Sequence, residues 1–241
     1  MFIPEAICAQ VRAALEHEPR INLHRYPIHL HCEDGILTMD GEVEHIVAKK
    51  LALELAAAVP GVDGLIDRLR VAPARKMGDG AVRDHVCDAF LQEPAFTTFA
   101  ITVRDQGQVD TVRPASGTPY GSIEVAVDDG VVTLNGQVPS LSHKRMAGVL
   151  AWWVPGSRDV INGLAVEPPE EDSDDEITDA VHLVLEKDPF VRAEQIRVRT
   201  RQRVVTLEGL VPTETIKEMA EFDAWYVFGV DRVVNALQVQ G

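Results

Sequence analysis

A chain of 241 residues, 46% of them apolar, has enough material for one large or several small packed domains. Its 38 acidic and 23 basic side chains leave a formal charge of −15, which argues against general binding to DNA or RNA, since such proteins cluster Lys and Arg on phosphates. No run approaches the roughly 20 apolar residues of a bilayer span, and three cysteines without CxxC spacing read as reduced, partly buried thiols.

The amino terminus, Met1-Phe2-Ile3-Pro4-Glu5-Ala6-Ile7, lacks a basic or long apolar leader, so the expected location is the cytoplasm, peripheral at the inner membrane at most. It passes directly into an apolar series at Ile7, Val11 and Leu15, the stripe of a helix lying on a core. Glu18-Pro19 stops that helix, because proline disfavours helical geometry in the residue before it. Ile28, Leu30 and Cys32 alternate as in a strand, and a tight turn leads into Asp34-Gly35-Ile36-Leu37-Thr38-Met39-Asp40-Gly41. A second helix fills most of the interval to Gly61, and Gly64-Leu65-Ile66-Asp67-Arg68-Leu69-Arg70-Val71 reads as a closing strand.

The same order then repeats twice. The helix stripe returns as Val82, Val86 and Phe90 before Glu93-Pro94, and as Ile177, Val181 and Leu185 before Asp188-Pro189. The first strand returns as Ile123, Val125 and Val127, and as Ile196, Val198 and Thr200. The threonine-bearing strand returns as Val131-Val132-Thr133-Leu134-Asn135-Gly136 and Val204-Val205-Thr206-Leu207-Glu208-Gly209. Twenty residues separate Gly41 from Gly61, Gly136 from Gly156 and Gly209 from Gly229. Ser140 and Thr213 are the expected N-caps of the second helices. The first glycine of each pair is expected where strand meets loop, and the second at the helix C′ position with positive φ.

The expected fold is therefore α/β of the α+β kind: three tandem αββαβ modules, each a three-stranded mixed sheet with two helices on one face. The last strand lies parallel to the second through a right-handed crossover. The modules span 1–74, 78–167 and 177–241, with an insertion at about 97–122 in the second and an acidic linker at 168–176.

This order of elements, with its two glycines, resembles the BON domain family over nearly the whole chain. The resemblance implies modules that associate with phospholipid or membranes, as in osmotically inducible periplasmic proteins, or that bind potassium, as in a cytoplasmic relative carrying a LysM domain. No LysM-like segment is present, and no secretion signal is read.

Shared positions are accounted for by packing, so function is expected where the copies differ. From proline to first-strand isoleucine there are 9 residues in the first module and 7 in the third, but 29 in the second. That insertion reads either as a binding loop or as a hairpin packed on a neighbouring module. On the outward face of the third module's first strand, Arg197, Arg199 and Arg201, extended by Arg192 and Arg203, form a basic row. It reads either as a site for anionic headgroups or as a solvated face meeting the acidic linker. The equivalent face of the first module carries His29 and His31 with His24 nearby, an incomplete metal set. At the end of the second helix, Ala57-Ala58 becomes Trp152-Trp153 and Trp225-Tyr226, read either as anchors at a lipid interface or protein contact or as divided between core and inter-module packing.

Catalytic signatures such as GxSxG, a P-loop, HExxH or GxGxxG are absent from the sequence, and Ser140, Ser142 and His143 read as helix start and surface. Thr38, Thr133 and Thr206 are the recurrent polar residues, as strand propensity explains. The reading is a non-enzymatic, cofactor-free binding or scaffold protein linked to stress. Its partner is an anionic membrane surface or another protein. The alternatives are a potassium sensor or a structural homo-oligomer.

Overall fold

The computed structural model describes residues 4–118 and 120–240, so the expectation for Met1 to Ile3 lies outside the described residues. The chain divides into two units, Met1–Ala72 and Pro73–Gly241. Among the described residues no helix is long and apolar enough to cross a membrane.

The first unit runs α1 (Pro4–His17), β1 (Ile28–Glu33), β2 (Ile36–Val43), α2 (Ile46–Ala57) and β3 (Gly64–Val71). β1 pairs antiparallel with β2, which pairs parallel with β3 across α2. The alternation read from sequence sets the faces: Ile28, Cys32, Leu37, Met39 and Leu69 are buried beneath the helices, and Ile7, Val11 and Leu15 meet them from α1. The N-cap of α2 is His45, whose Nδ1 accepts from the Ala48 amide at 3.1 Å, an uncommon capping residue in the place held by Ser140 and Thr213 in the later copies.

The second unit holds two modules. One comprises α3 (Asp79–Gln92), β4 (Ala100–Asp105), β5 (Gln108–Arg113), β6 (Ser122–Asp128), β7 (Val131–Val138), α4 (Leu141–Trp152), β8 (Asp159–Asn162) and β9 (Ala165–Val166). The other comprises α5 (Asp174–Lys187), β10 (Ile196–Arg201), β11 (Val204–Val211), α6 (Glu214–Tyr226) and β12 (Arg232–Val239). The acidic stretch at 168–176 thus gives its last three residues, Asp174, Asp175 and Glu176, to the first turn of α5, where negative charge complements the helix dipole.

The middle sheet has six strands, not three. The insertion folds into the β4–β5 hairpin, and β4 lies parallel to β6 along the edge that remains open on β1 and β10. The hairpin joins the sheet and core of its own module. Phe96 and Phe99 drive this: both are fully buried with Phe90, and Arg113 from β5 donates to the carbonyls of Phe96 and Phe99. The closing strand is split into β8 and β9 at Gly163.

The motif glycines work differently from expectation. Gly41, Gly136 and Gly209 lie inside β2, β7 and β11, opposite Ile28, Ile123 and Ile196. Their φ values are +146°, +126° and +146°, and a Cβ there would stand 2.5, 2.1 and 2.1 Å from the carbonyl oxygens of Pro27, Ser122 and Gln195. The chain entering the first strand crosses directly over the glycine, which leaves no room for a side chain. Gly61, Gly156 and Gly229 sit past C′, in the turn into the closing strand; only Gly61 and Gly229 have positive φ, whereas Gly156 is packed against Met77 and Val82.

The acid before each proline has a second role beyond stopping the helix. Glu18, Glu93 and Asp188 accept the amides of Arg20, Ala95 and Phe190 at 3.2, 3.2 and 2.8 Å, fixing the turn that leads to the first strand.

Candidate functional site

β10 is an edge strand whose inward positions are Ile196, Val198 and Thr200, so Arg197, Arg199 and Arg201 project from the uncovered face, all exposed. Across the sheet they align with Glu208, Thr206 and Val204, and then with Ala236, Val234 and Arg232. Glu208 is 3.8 Å from Arg199, a loose exposed pair. The face therefore carries four guanidinium groups, one carboxylate and the exposed apolar side chains of Val234 and Leu210. An open cleft of about 580 Å³ adjoins Arg197, lined also by His182, Gln195 and Glu208.

Arg203 stands apart from this row. It occupies the β10–β11 turn at φ +60°, and its guanidinium is 3.0 Å from Asp172 of the acidic segment. Arg192 caps the 3-10 turn before β10 and is exposed. Contact with the acidic segment thus involves Arg203, while Arg197, Arg199 and Arg201 face outward.

In the first module His29 and His31 alternate outward on β1, and His31 Nε2 is 3.9 Å from Glu33 with both side chains exposed. No group of three or more His, Cys, Asp or Glu that could hold a metal ion occurs among the described residues. The second module shows Glu124, Ala126 and Asp128 on the same face, with Glu124 held by Arg104 from β4 in a two-pronged pair at 2.9 Å. Cys32 and Cys87 are buried and Cys8 half-buried, all three as free thiols; burial pushes Cys87 up to about 11.

The aromatic pairs meet where the second and third modules join. Trp152 stacks on Tyr226 with ring centres 5.2 Å apart, and Trp153 Nε1 donates to Asp223 Oδ1 at 2.8 Å. Trp225 is a core residue. Arg145 of α4, only 2% exposed, donates to the Phe228 carbonyl at 3.0 Å and pairs with Asp172. Lys144 lies over the Phe228 ring at 4.4 Å, and Lys187 at the end of α5 pairs with Glu93 at 2.9 Å. His143 is half-buried between Ser140, at 2.6 Å, and the stacked Phe99 ring, where burial lowers its pKa. It belongs to the packing between α4 and the inserted segment, not to the surface.

Two further polar positions recur in all three modules. Lys49, Lys144 and Lys217 each precede the second glycine by twelve residues, and Asp67, Asn162 and Asn235 each follow it by six. Asn162 and Asn235 donate to the carbonyls of Lys144 and Lys217 at 2.7 and 3.0 Å, tying the closing strand to the second helix. In the first module the same tie is ionic: Lys49 Nζ, 4% exposed, lies 3.0 Å from Asp67 and 2.8 Å from the Leu69 carbonyl. Asp79 and Asp174, the first residues of α3 and α5, each accept two amides of the hairpin turn, at Asp129-Gly130 and Gln202-Arg203.

The architecture defines a tandem array of small mixed α/β modules whose differences are concentrated on exposed faces and at one joint. The BON domain matches three times, over residues 5–73, 108–168 and 173–241, and the chain belongs to the BON domain family. It is similar to the osmotically-inducible protein Y of Escherichia coli (strain K12), 28% identical over 160 residues, which are 66% of this chain and 70% of that protein. Among solved structures it is similar to the C-terminal domain of CdsD, a structural protein of the type III secretion system of Chlamydia trachomatis, at 13% identity and TM-score 0.25 over 100% of both chains. A second CdsD structure gives 13% and 0.24 over 98% of this chain and 93% of that one. Superposition this loose carries nothing over to the present protein.

Proposed function

We propose that the chain is a non-enzymatic binding or scaffold protein, stress-related like the osmotically inducible protein it resembles, that associates peripherally with anionic phospholipid through its third module. The observation that carries this reading is the exposed arginine row Arg197, Arg199 and Arg201 on an uncovered sheet face. Guanidinium groups bind phosphate with fork geometry, and each basic side chain near an anionic surface contributes about 1 kcal/mol. Three such groups give about a hundredfold in partitioning. With a chain charge of −15, that face turns toward the surface and the acidic helices away from it.

Co-sedimentation with phosphatidylserine-containing vesicles tests the proposal, with phosphatidylcholine vesicles as the comparison. Binding is expected to be confined to the anionic vesicles and to weaken with salt. R197E/R199E is expected to lower it at least about tenfold. Equal sedimentation of the variant and the original chain would sink the lipid assignment and leave a protein partner as the occupant.

A further inference from the structure

We propose that the open edge of β10 is a docking groove for an extended acidic peptide of a partner protein, which adds to the sheet as a strand parallel to β10. The second module shows what such an edge accepts. There β4 lies parallel to β6 in the register Ile101↔Ile123, Thr102↔Glu124, Val103↔Val125 and Arg104↔Ala126. Aligning the copies on Ile123 and Ile196 puts Arg197, Val198 and Arg199 at the places of Glu124, Val125 and Ala126. Among the described residues β10 pairs with β11 alone.

The groove beside β10 corresponds to the space that β4 fills in the second module. It is an open cleft of about 580 Å³ running from His182 on α5 across Gln195, Ile196, Arg197 and Val198. His182 takes the place of Cys87, which is buried in one core with Phe99 and Ile101. Exposure reports the difference: Val125 is fully buried beside β4, whereas Val198 at the same position is half-buried. The edge also offers main-chain groups. The Ala100 amide donates to the Gly121 carbonyl at 2.9 Å, which in an evenly spaced parallel ladder directs the amides of Ile123 and Val125 toward β4. The amides of Ile196 and Val198 take the same direction and face the cleft.

Charge selects the occupant. On the outward face of the second module Arg104 holds Glu124 in a two-pronged pair at 2.9 Å, so the added strand is basic and the first strand acidic. In the third module the sign of the first strand is reversed: Arg197 and Arg199 are both exposed, with Glu208 loosely paired to Arg199 at 3.8 Å. An added strand with apolar residues inward and Glu or Asp outward satisfies both the groove and the arginines. β1 carries His29 and His31 at these positions and lacks the basic pair. The groove does not rest on the lipid reading, because headgroups need the outward guanidinium groups and not the strand edge.

Fluorescence polarisation of the labelled peptide GSVEVEVTG on the full chain tests the groove. Saturable binding is expected, at least about tenfold tighter than for GEEVVVSTG, which has the same composition without the alternation. Val198→Pro removes an edge amide where an edge strand tolerates proline, and it keeps every arginine. It is expected to weaken the peptide at least about fivefold and to leave co-sedimentation with anionic vesicles unchanged. R197E/R199E is expected to lose GSVEVEVTG and to gain GSVKVKVTG, a reversal that an unfolded module would not give. Absence of saturable binding, equal binding of the alternating and scrambled peptides, undiminished binding to Val198→Pro, or failure of the reversal overturns the groove.

Discussion

Replacing Gly136 by alanine tests the packing logic of the repeat at its tightest point. The new Cβ would lie 2.1 Å from the Ser122 carbonyl oxygen, which is main chain and cannot rotate aside, and φ at +126° is strained for any L side chain. The conformational strain alone costs about 1–3 kcal/mol. Relief of the clash requires β6 to move off β7 by about 1 Å, and each ladder hydrogen bond spoiled by that shift adds about 1 kcal/mol. The expected loss is about 3–5 kcal/mol, and at about 4–8 °C per kcal/mol for a domain of this size the midpoint falls by at least about 12 °C. Scanning calorimetry of the full chain reads this directly. Gly209→Ala is expected to match it, with the same 2.1 Å contact to Gln195, and Gly41→Ala, at 2.5 Å from Pro27, to affect the first unit somewhat less. Gly80→Ala in α3, where the nearest atom is the mobile end of Arg83 at 3.7 Å, is expected to stabilise by about 0.5 kcal/mol through helix propensity. A Gly136→Ala loss below about 1 kcal/mol would refute the claim that the crossing backbone excludes a side chain.

Two other outcomes follow from single contacts. Asp67→Ala removes the counter-charge 3.0 Å from buried Lys49 and is expected to cost the first unit about 2–3 kcal/mol by urea denaturation; a change under about 0.5 kcal/mol would remove the ion pair from any structural role. Asp174 has its pKa lowered by the amides of Arg203 and Gln202, so its contribution is present above the ordinary carboxyl value and is lost as pH falls through the lowered one. Asp174→Ala is therefore expected to melt earlier than the original chain at neutral pH and together with it at about pH 2; a gap that persists in acid would point to something other than the capping carboxylate.

The register of the three modules was readable because it rests on local periodicities: stripes such as Ile7, Val11 and Leu15, alternation such as Ile28, Leu30 and Cys32, and glycines at constant spacing. Partners distant in sequence were not readable. Trp153 and Asp223 are 70 residues apart, Arg145 and Asp172 are 27 apart, and nothing in either neighbourhood marks the pairing. The hairpin in the insertion was one of two readings of its composition. Its parallel attachment to β6 depends on Phe96 and Phe99 reaching the core, which spacing does not encode. The recurrence of Lys49, Lys144 and Lys217 did carry a signal, since each stands twelve residues before the second glycine. It was masked because lysines in a helix ordinarily read as solvent-facing, and because the first copy buries the ammonium while the second and third use the backbone carbonyl. The arginine row was fully legible, being an alternation within one strand, whereas the separate fate of Arg203 depended on a turn whose amides are claimed by Asp174.

The β4–β5 hairpin has a consequence for how such a chain folds. Like modules in tandem share strand lengths and side-chain patterns, so an unpaired first strand can be captured by the wrong copy before its own sheet is complete. The middle module has a neighbour on each side and is the most exposed to this exchange. It is also the one in which β4 already occupies the free edge of β6. The inserted residues thus occupy the edge by which β6 could be captured and move the free edge of the central sheet out to β5, while β1 and β10 remain first-strand edges open to another chain.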